Sequence, residues 1–219
     1  MRAVVVGPDG EPALAEVAEP EGPGTLVGVV ACGLCGSDVE KLTPEHALRE
    51  PADWPDWRGT FVEPLACVLR GARRLPRGRV LIVGNGFVGR LFGEVLERRG
   101  DEVFAVDTDP RRAGRAPDGP VDAAVLCGPG GTDTALDGVA PGGTVLVFAD
   151  AGPLPLTDVY RRELAVVGTR SAAPHTMREA VALLHDLEVP EPTVLPLERF
   201  AEGLALHRHR DATKVVFVP

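Results

Sequence analysis

Residues 80–107 read VLIVGNGFVGRLFGEVLERRGDEVFAVD, and no other stretch constrains the fold of this chain as much. An apolar run, Val80 to Val83, stops at Gly84-Asn85-Gly86-Phe87-Val88-Gly89. A helical pattern follows, then a second apolar run, Val103 to Val106, closed by Asp107. The order is strand, glycine turn, helix, strand, acid, and each part has a physical role in holding a dinucleotide. Gly84 permits a tight turn, Gly86 leaves room for a pyrophosphate against the backbone, and Gly89 lets the helix pack closely on the strand. The helix N-terminus offers unpaired N–H groups and the positive end of its dipole to phosphate. Asp107, 23 residues after the first glycine, is placed to accept hydrogen bonds from the adenosine ribose and to repel a 2′-phosphate, which favours NAD over NADP. A βαβ unit whose cofactor role has lapsed, with Asp107 only capping a turn, is the alternative.

Composition excludes several classes. The 219 residues suggest one or two domains, and 44% apolar with 25% charged residues is ordinary for a globular protein. A net charge of −9 argues against nucleic acid, which needs clustered cations. No apolar run approaches the ~20 residues of a membrane span. The start, MRAVVVGPDG, is too short in its apolar part for a signal peptide, and four cysteines without such a signal imply reduced thiols and a cytoplasmic location.

The chain divides into three parts. Residues 1–62 carry β-branched runs at Arg2–Val6, Ala13–Val17 and Thr25–Ala31, then a Pro- and Trp-rich stretch over 41–60 that reads as a short helix and a loop. Residues 63–187 alternate strand and helix. Beyond Asp107 this pattern predicts strands at Ala123–Cys127, Thr144–Ala149 and Leu164–Thr169, and helices at Thr132–Val139 and Thr176–Leu187. Residues 110–120 are too broken by Pro and Gly for a long helix. Residues 188–219 add a helix, Leu197–Leu206, and a strand, Lys214–Val218. The fold class is α/β: a doubly wound, mostly parallel Rossmann sheet with helices on both faces.

Val29 to Asp38 read VVACGLCGSD. Cys32 and Cys35 alone form a CxxC, a redox pair or half of a zinc knuckle, but no second CxxC exists to complete a structural zinc site. The chain here resembles the medium-chain dehydrogenase/reductase superfamily, in particular its zinc-dependent alcohol and polyol dehydrogenases. CGLCGSD, FVEPLACVLRGARR, VLIVGNGFVG, VDAAVLCG, PGGTVLVFA, RRELAVVGT and LPLERFAEGLALHRHRDATKVVFVP follow in the family's order and cover nearly the whole chain. The resemblance implies a reduced GroES-like β domain made from the two ends of the chain, residues 1–62 and 188–219, and a Rossmann cofactor domain at 63–187. It implies that Cys35 is a zinc ligand, Ser37 a proton relay, Asp38 a carboxylate orienting the ligands and meeting Lys214, and Glu63 a further metal ligand. Arg112, Cys127 and Lys214 join the glycine turn and Asp107 as candidate cofactor contacts. Zinc would polarise a substrate oxygen while hydride passes to or from nicotinamide.

The chain departs from the family between Cys35 and Glu63. Only 27 residues separate them, and the Gly-His-Glu segment that carries another zinc ligand is missing. His46, the single histidine in that interval, stands as a candidate metal ligand against the reading of an ordinary surface side chain. Cys67 and Cys127 lie in apolar runs and read as core, while His175, His185, His207 and His209 read as surface. Three functional readings stay open. The first is an NAD-dependent oxidoreductase interconverting a secondary alcohol and a ketone, zinc-assisted. The second is a zinc-free NAD(P)H-dependent reductase of the same superfamily. The third is a nucleotide-binding or regulatory protein without redox chemistry. The apolar, β-branched run Leu164–Thr169 is expected at a sheet edge, where a homodimer would cover it.

Overall fold

A computed structural model describes residues 1–6, 12–19, 21, 29–34 and 57–219. The chain forms two compact units, Met1–Phe61 with Glu191–Pro219, and Val62–Pro190. Cys35, Ser37, Asp38 and His46 lie outside the described residues, as do most of the strand expected at Thr25–Ala31 and the helix expected beyond Lys41.

In the first unit, β1 (Arg2–Val6) and β2 (Pro12–Glu16) form an antiparallel pair. A second sheet joins β3 (Cys32–Leu34) antiparallel to β10 (Val215–Val218), which runs parallel to β9 (Thr193–Pro196). Residues 29–31 are not strand, so the strand of this region starts later than the β-branched run suggests. A 3-10 turn, Leu197–Arg199, leads into helix α6 (Phe200–His209). Leu195, Val215 and Phe217 form the small core, with the rings of Phe200 and Phe217 5.3 Å apart. Gly203 faces Phe217 so closely that any side chain there would clash.

The second unit holds a five-stranded parallel sheet. In chain order its elements are α1 (Val62–Ala72), β4 (Arg79–Val83), α2 (Phe87–Arg98), β5 (Glu102–Val106), β6 (Val121–Leu126), α3 (Thr132–Gly138), β7 (Val139–Val147), α4 (Leu156–Arg161), β8 (Ala165–Gly168) and α5 (Pro174–Leu184). The strand order is β5-β4-β6-β7-β8. Val80, Leu81 and Ile82 of the central β4 are at most 2% exposed, as expected of a parallel strand covered on both faces. On one face α1 packs against α2 and α5. On the other, α3 closes a core of Leu81, Val83, Phe104, Leu126 and Leu136.

Local sequence explains the element ends. Helix α2 buries Leu91, Phe92, Val95 and Leu96 on one stripe. It ends at Gly100, whose φ of +90° is open to glycine. The Gly100 N–H donates to the Glu97 carbonyl at 2.9 Å and the Asp101 N–H to the Leu96 carbonyl at 3.0 Å, a Schellman closure. The Asp101 carboxylate then accepts the Gly78 N–H at 2.9 Å and the Arg99 guanidinium at 2.5 Å. Arg99 also donates to the Ala72 carbonyl, tying the end of α1 to the α2–β5 turn.

Strand β7 begins earlier than the sequence pattern predicts. Val139 pairs with Val121, the register then shifts, and Thr144 pairs with Ala123. The Pro141-Gly142-Gly143 segment that reads as a breaker is absorbed within the strand as this irregularity. Helices α1 and α4 and strand β9 have no counterpart in the sequence prediction. Between β5 and β6, residues 107–120 contain no helix, in line with the broken composition there. Among the described residues no helix is long and apolar enough to cross a membrane.

Candidate functional site: the glycine turn between β4 and α2

The turn after β4 brings together most of the residues that the sequence singles out. Gly84 has φ +95°, a conformation that L side chains rarely adopt. Its N–H donates to the Val106 carbonyl at 2.9 Å, so the turn is anchored on β5. Gly89, in the first turn of α2, faces the Gly84 carbonyl oxygen, and a Cβ there would collide with it and press on Ile82. At Gly86 the space is open: the nearest atom to an added Cβ is an Arg112 guanidinium nitrogen at 3.8 Å. Gly86 caps α2 with no side-chain hydrogen bond, so the first N–H groups of the helix are not claimed by a capping side chain.

Asp107 stands at the end of β5 and holds the turn through both oxygens. Its Oδ2 accepts the Asn85 N–H at 2.8 Å and its Oδ1 accepts the Asp109 N–H at 2.9 Å. Each carboxylate oxygen has a second lone pair for an outside donor. The Asn85 side-chain amide donates to the Arg112 carbonyl at 2.6 Å. That bond draws residues 109–112 over the turn.

Asp109 is a site residue that the sequence reading missed. Its Oδ1 accepts the Arg111 N–H at 3.0 Å, and its carboxylate is forked by the Arg111 guanidinium at 3.0, 3.1 and 2.7 Å. Arg112 approaches the same carboxylate at 3.6 Å. The hydrogen bonds from Arg111 hold the Asp109 carboxyl down at about 2, from an ordinary 3.8. The signal was present: Asp107-Thr-Asp109-Pro spaces two acids for consecutive Asx turns.

Cys127 follows β6 beside the turn, its N–H donating to the Val83 carbonyl at 2.9 Å. The residue is half-buried and stands outside the core that its apolar run suggested, while burial of the thiol pushes its pKa far up, so it stays neutral. Phe87 and Val88 open α2.

Glu63 lies in the first turn of α1, exposed, and its Oε1 accepts the Cys67 thiol at 3.0 Å, one helical turn on. Cys67 therefore departs from the expected core position. The apolar stripe of α1 passes through Leu65, Ala66, Val68 and Leu69, and Cys67 falls beside Glu63 on the opposite side. Among the described residues, no three His, Cys, Asp or Glu side chains cluster as a metal site. Lys214, in the first unit, is 4% exposed; its carbonyl accepts the Thr193 N–H at 2.8 Å. Its Nζ lies 3.2 Å from where a Cβ on Gly33 would be. His175, His185 and His209 are exposed and His207 half-buried.

No protein-family model matches the sequence, and a search of curated proteins gave no match. Solved structures do match in fold. Alcohol dehydrogenase TADH from Thermus sp. ATN1 superposes with TM-score 0.81 at 20% identity, covering 100% of each chain. The chain has the fold of these oxidoreductases. The quinone oxidoreductase of Thermus thermophilus, known also in complex with NADPH, gives 0.79 at 20% identity over 100% of each chain. L-idonate 5-dehydrogenase from Escherichia coli K-12 gives 0.69 at 21% identity over 78% of this chain and 59% of that one. This is the fold implied by the resemblance to medium-chain dehydrogenases/reductases. The chain spans only 59% to 63% of the length of some of the structures that it matches.

The Asp109 pairing makes a pH prediction. A carboxyl whose folded pKa is depressed contributes stability that is fully present above its unfolded value near 3.8 and is lost as pH falls through about 2. Carbon-detected NMR of the side-chain carboxyls should show Asp109 titrating below 3, and Arg111→Ala should return its midpoint toward 4. A midpoint near 4 in the unaltered protein would remove Arg111 from this role.

Proposed function

We propose that the chain is an NAD-dependent oxidoreductase that interconverts a secondary alcohol and a ketone. One observation carries the proposal. The Gly84–Gly89 turn leaves an open space at Gly86 before an uncapped helix N-terminus, and Asp107 closes the neighbouring strand. Backbone N–H groups at residues 86–89 would donate to a pyrophosphate, and the helix dipole favours that charge. The Arg112 guanidinium beside Gly86 adds a cation at the same place. The free lone pairs of Asp107 would accept the ribose hydroxyls. The neutral Cys127 thiol gives the turn an apolar wall. A bound nicotinamide supplies the hydride acceptor or donor. The fold shared with alcohol dehydrogenase and quinone oxidoreductase supports this reading.

Fluorescence titration with both reduced cofactors tests it. NADH should bind more tightly than NADPH, Asp107→Ala should narrow the difference at least tenfold, and Gly86→Val should abolish binding of both. Binding of neither cofactor sinks the proposal, and tighter NADPH binding reverses the choice of cofactor. Binding without hydride transfer to any ketone would favour the non-redox reading.

The zinc assignment rests on sequence. Cys35 and Glu63 are its proposed ligands, His46 a candidate third, with Ser37 relaying the alcohol proton and Asp38 orienting the ligands. A zinc ion there would act as a Lewis acid on the substrate oxygen. Glu63 itself is exposed at the head of α1, with the Cys67 thiol 3.0 Å away as a further soft donor. Elemental analysis should find zinc near one per chain, lost on Cys35→Ser. Unchanged turnover after exhaustive chelation would favour the zinc-free reductase.

We further propose a homodimer through β8. This strand ends the sheet, Val166 is 39% exposed, and the adjoining α4 exposes Leu156 and Tyr160 at 76% and 82%. An apolar strand edge of this kind calls for a cover. Light scattering at micromolar concentration should give twice the chain mass, and Val166→Pro should halve it by removing a ladder donor. A monomer in the unaltered protein refutes the proposal.

A further inference from the structure

Helix α2 packs on β5 and β4, on the face of the sheet that it shares with α1 and α5. The link from β5 to β6, residues 107–120, contains no helix and, as a right-handed crossover running back past β4, belongs to the α3 face, so it adds no helix beside α2. What remains there is a cleft of about 720 Å³ lined wholly by residues of the second unit. Its apolar floor includes Gly93, Val103, Val189 and Pro190, each half-buried. At Gly93 an added Cβ would meet only Ile82 Cδ1, at 3.8 Å.

The cleft is not built for another strand. Bonding alternates along a parallel strand: the Val106 carbonyl and the Glu102 N–H serve β4, so Val103 and Ala105 face outward. Ala105 already exchanges hydrogen bonds with Arg115 and Gly114, at 3.0 and 3.1 Å. Val103 alone is left on that edge, too little for strand addition.

Charge identifies the occupant. The lining holds five carboxylates, Glu94, Glu97, Asp101, Glu102 and Glu188, against the two cations Arg90 and Arg115, and Glu94, Glu97 and Glu188 stand on one side. Burial, and then repulsion from Glu97 and Glu188, raises the Glu94 carboxyl above its ordinary value. The other lining acids are engaged: Asp101 by Arg99, and Glu102 by Arg115 and Arg79. A second copy of the chain, at net charge −9, has the wrong sign. So do residues 35–56, with six carboxylates against two lysine or arginine side chains. We infer that this cleft docks a lysine- and arginine-rich amphipathic helix of another protein, which lies along α2. Its apolar face meets Val103 and Val189, and its cations meet Glu94, Glu97 and Glu188. Helix α2 runs 12 residues. A helix lying along it spans about 18 Å, at ~1.5 Å per residue.

The probe is a fluorescein-labelled 14-residue Lys/Leu amphipathic peptide, titrated against the full chain by anisotropy, with amide shifts mapped by NMR. The expected result is saturable binding with shifts confined to residues 82–105, 114–115 and 188–190. Glu94→Gln/Glu97→Gln/Glu188→Gln should weaken it at least tenfold. Gly93→Leu, which fills the cleft without a backbone clash, should weaken it equally while thermal stability is kept. Asp133→Asn/Asp137→Asn, on the exposed side of α3, should change nothing. No binding, equal loss in the α3 variant, or shifts mapping elsewhere overturns the inference. So does displacement of the peptide by spermine at equal concentration, which would make the cleft a site for small polycations.

Discussion

The approach of α2 to β4 at Gly89 is the contact on which the second unit depends. The helix can start where it does only because no side chain stands between Gly89 and the Gly84 carbonyl. That closeness needs Gly84 at φ +95°, which the Val106 carbonyl fixes through the Gly84 N–H. Asp107 then binds the Asn85 N–H and repeats the anchoring one residue later. Strand, turn, helix and second strand are thus one hydrogen-bonded assembly. Its consequence is an open helix N-terminus facing a carboxylate, the arrangement from which nucleotide binding is argued.

The sheet around this assembly is shortened on one side. With 14 residues and no helix between β5 and β6, the strand order ends at β5, which becomes an edge. The chain deals with that edge locally. Gly114 and Arg115 pair with Ala105, and Arg115 lies over the Phe104 ring, 4.3 Å from its centre. This protects the C-terminal half of β5, near the glycine turn, and leaves the half beside Val103 without a strand or helix. The opposite edge, β8, has no such patch from the chain itself among the described residues, and its exposed Val166 adjoins the exposed Leu156 and Tyr160 of α4.

Much of the second unit was legible because its signals are local. The run Val80–Val83, the glycine spacing and the stripe Leu91, Phe92, Val95, Leu96 each dictate structure within a few residues. Helix α1 was not legible as a helix. Its start follows a Pro- and Trp-rich stretch, and its stripe is short enough to read as a generic apolar run. The beginning of β7 was misread because Pro141-Gly142-Gly143 breaks an isolated strand, whereas pairing of Val139 with Val121 holds this one. Cys67 was misplaced for a related reason: its neighbours Ala66 and Val68 are buried, but helical rotation puts Cys67 next to Glu63. Of the candidate catalytic residues, only Glu63 falls among the described residues.

The amino-acid sequence by itself determined the βαβ unit, the parallel sheet and the position of the acid after β5. Glycine geometry, helical period and strand-end polarity are properties of neighbouring residues. Only the tertiary structure decided that Asp107 holds the Asn85 N–H and that the Asn85 side chain reaches the Arg112 carbonyl, since these partners lie 22 and 27 residues apart. It likewise decided that an acidic cleft lies beside α2, because Glu94 and Glu188 meet only when the chain has wound around the sheet and returned. Contacts of that separation are set by packing, and no local pattern records them.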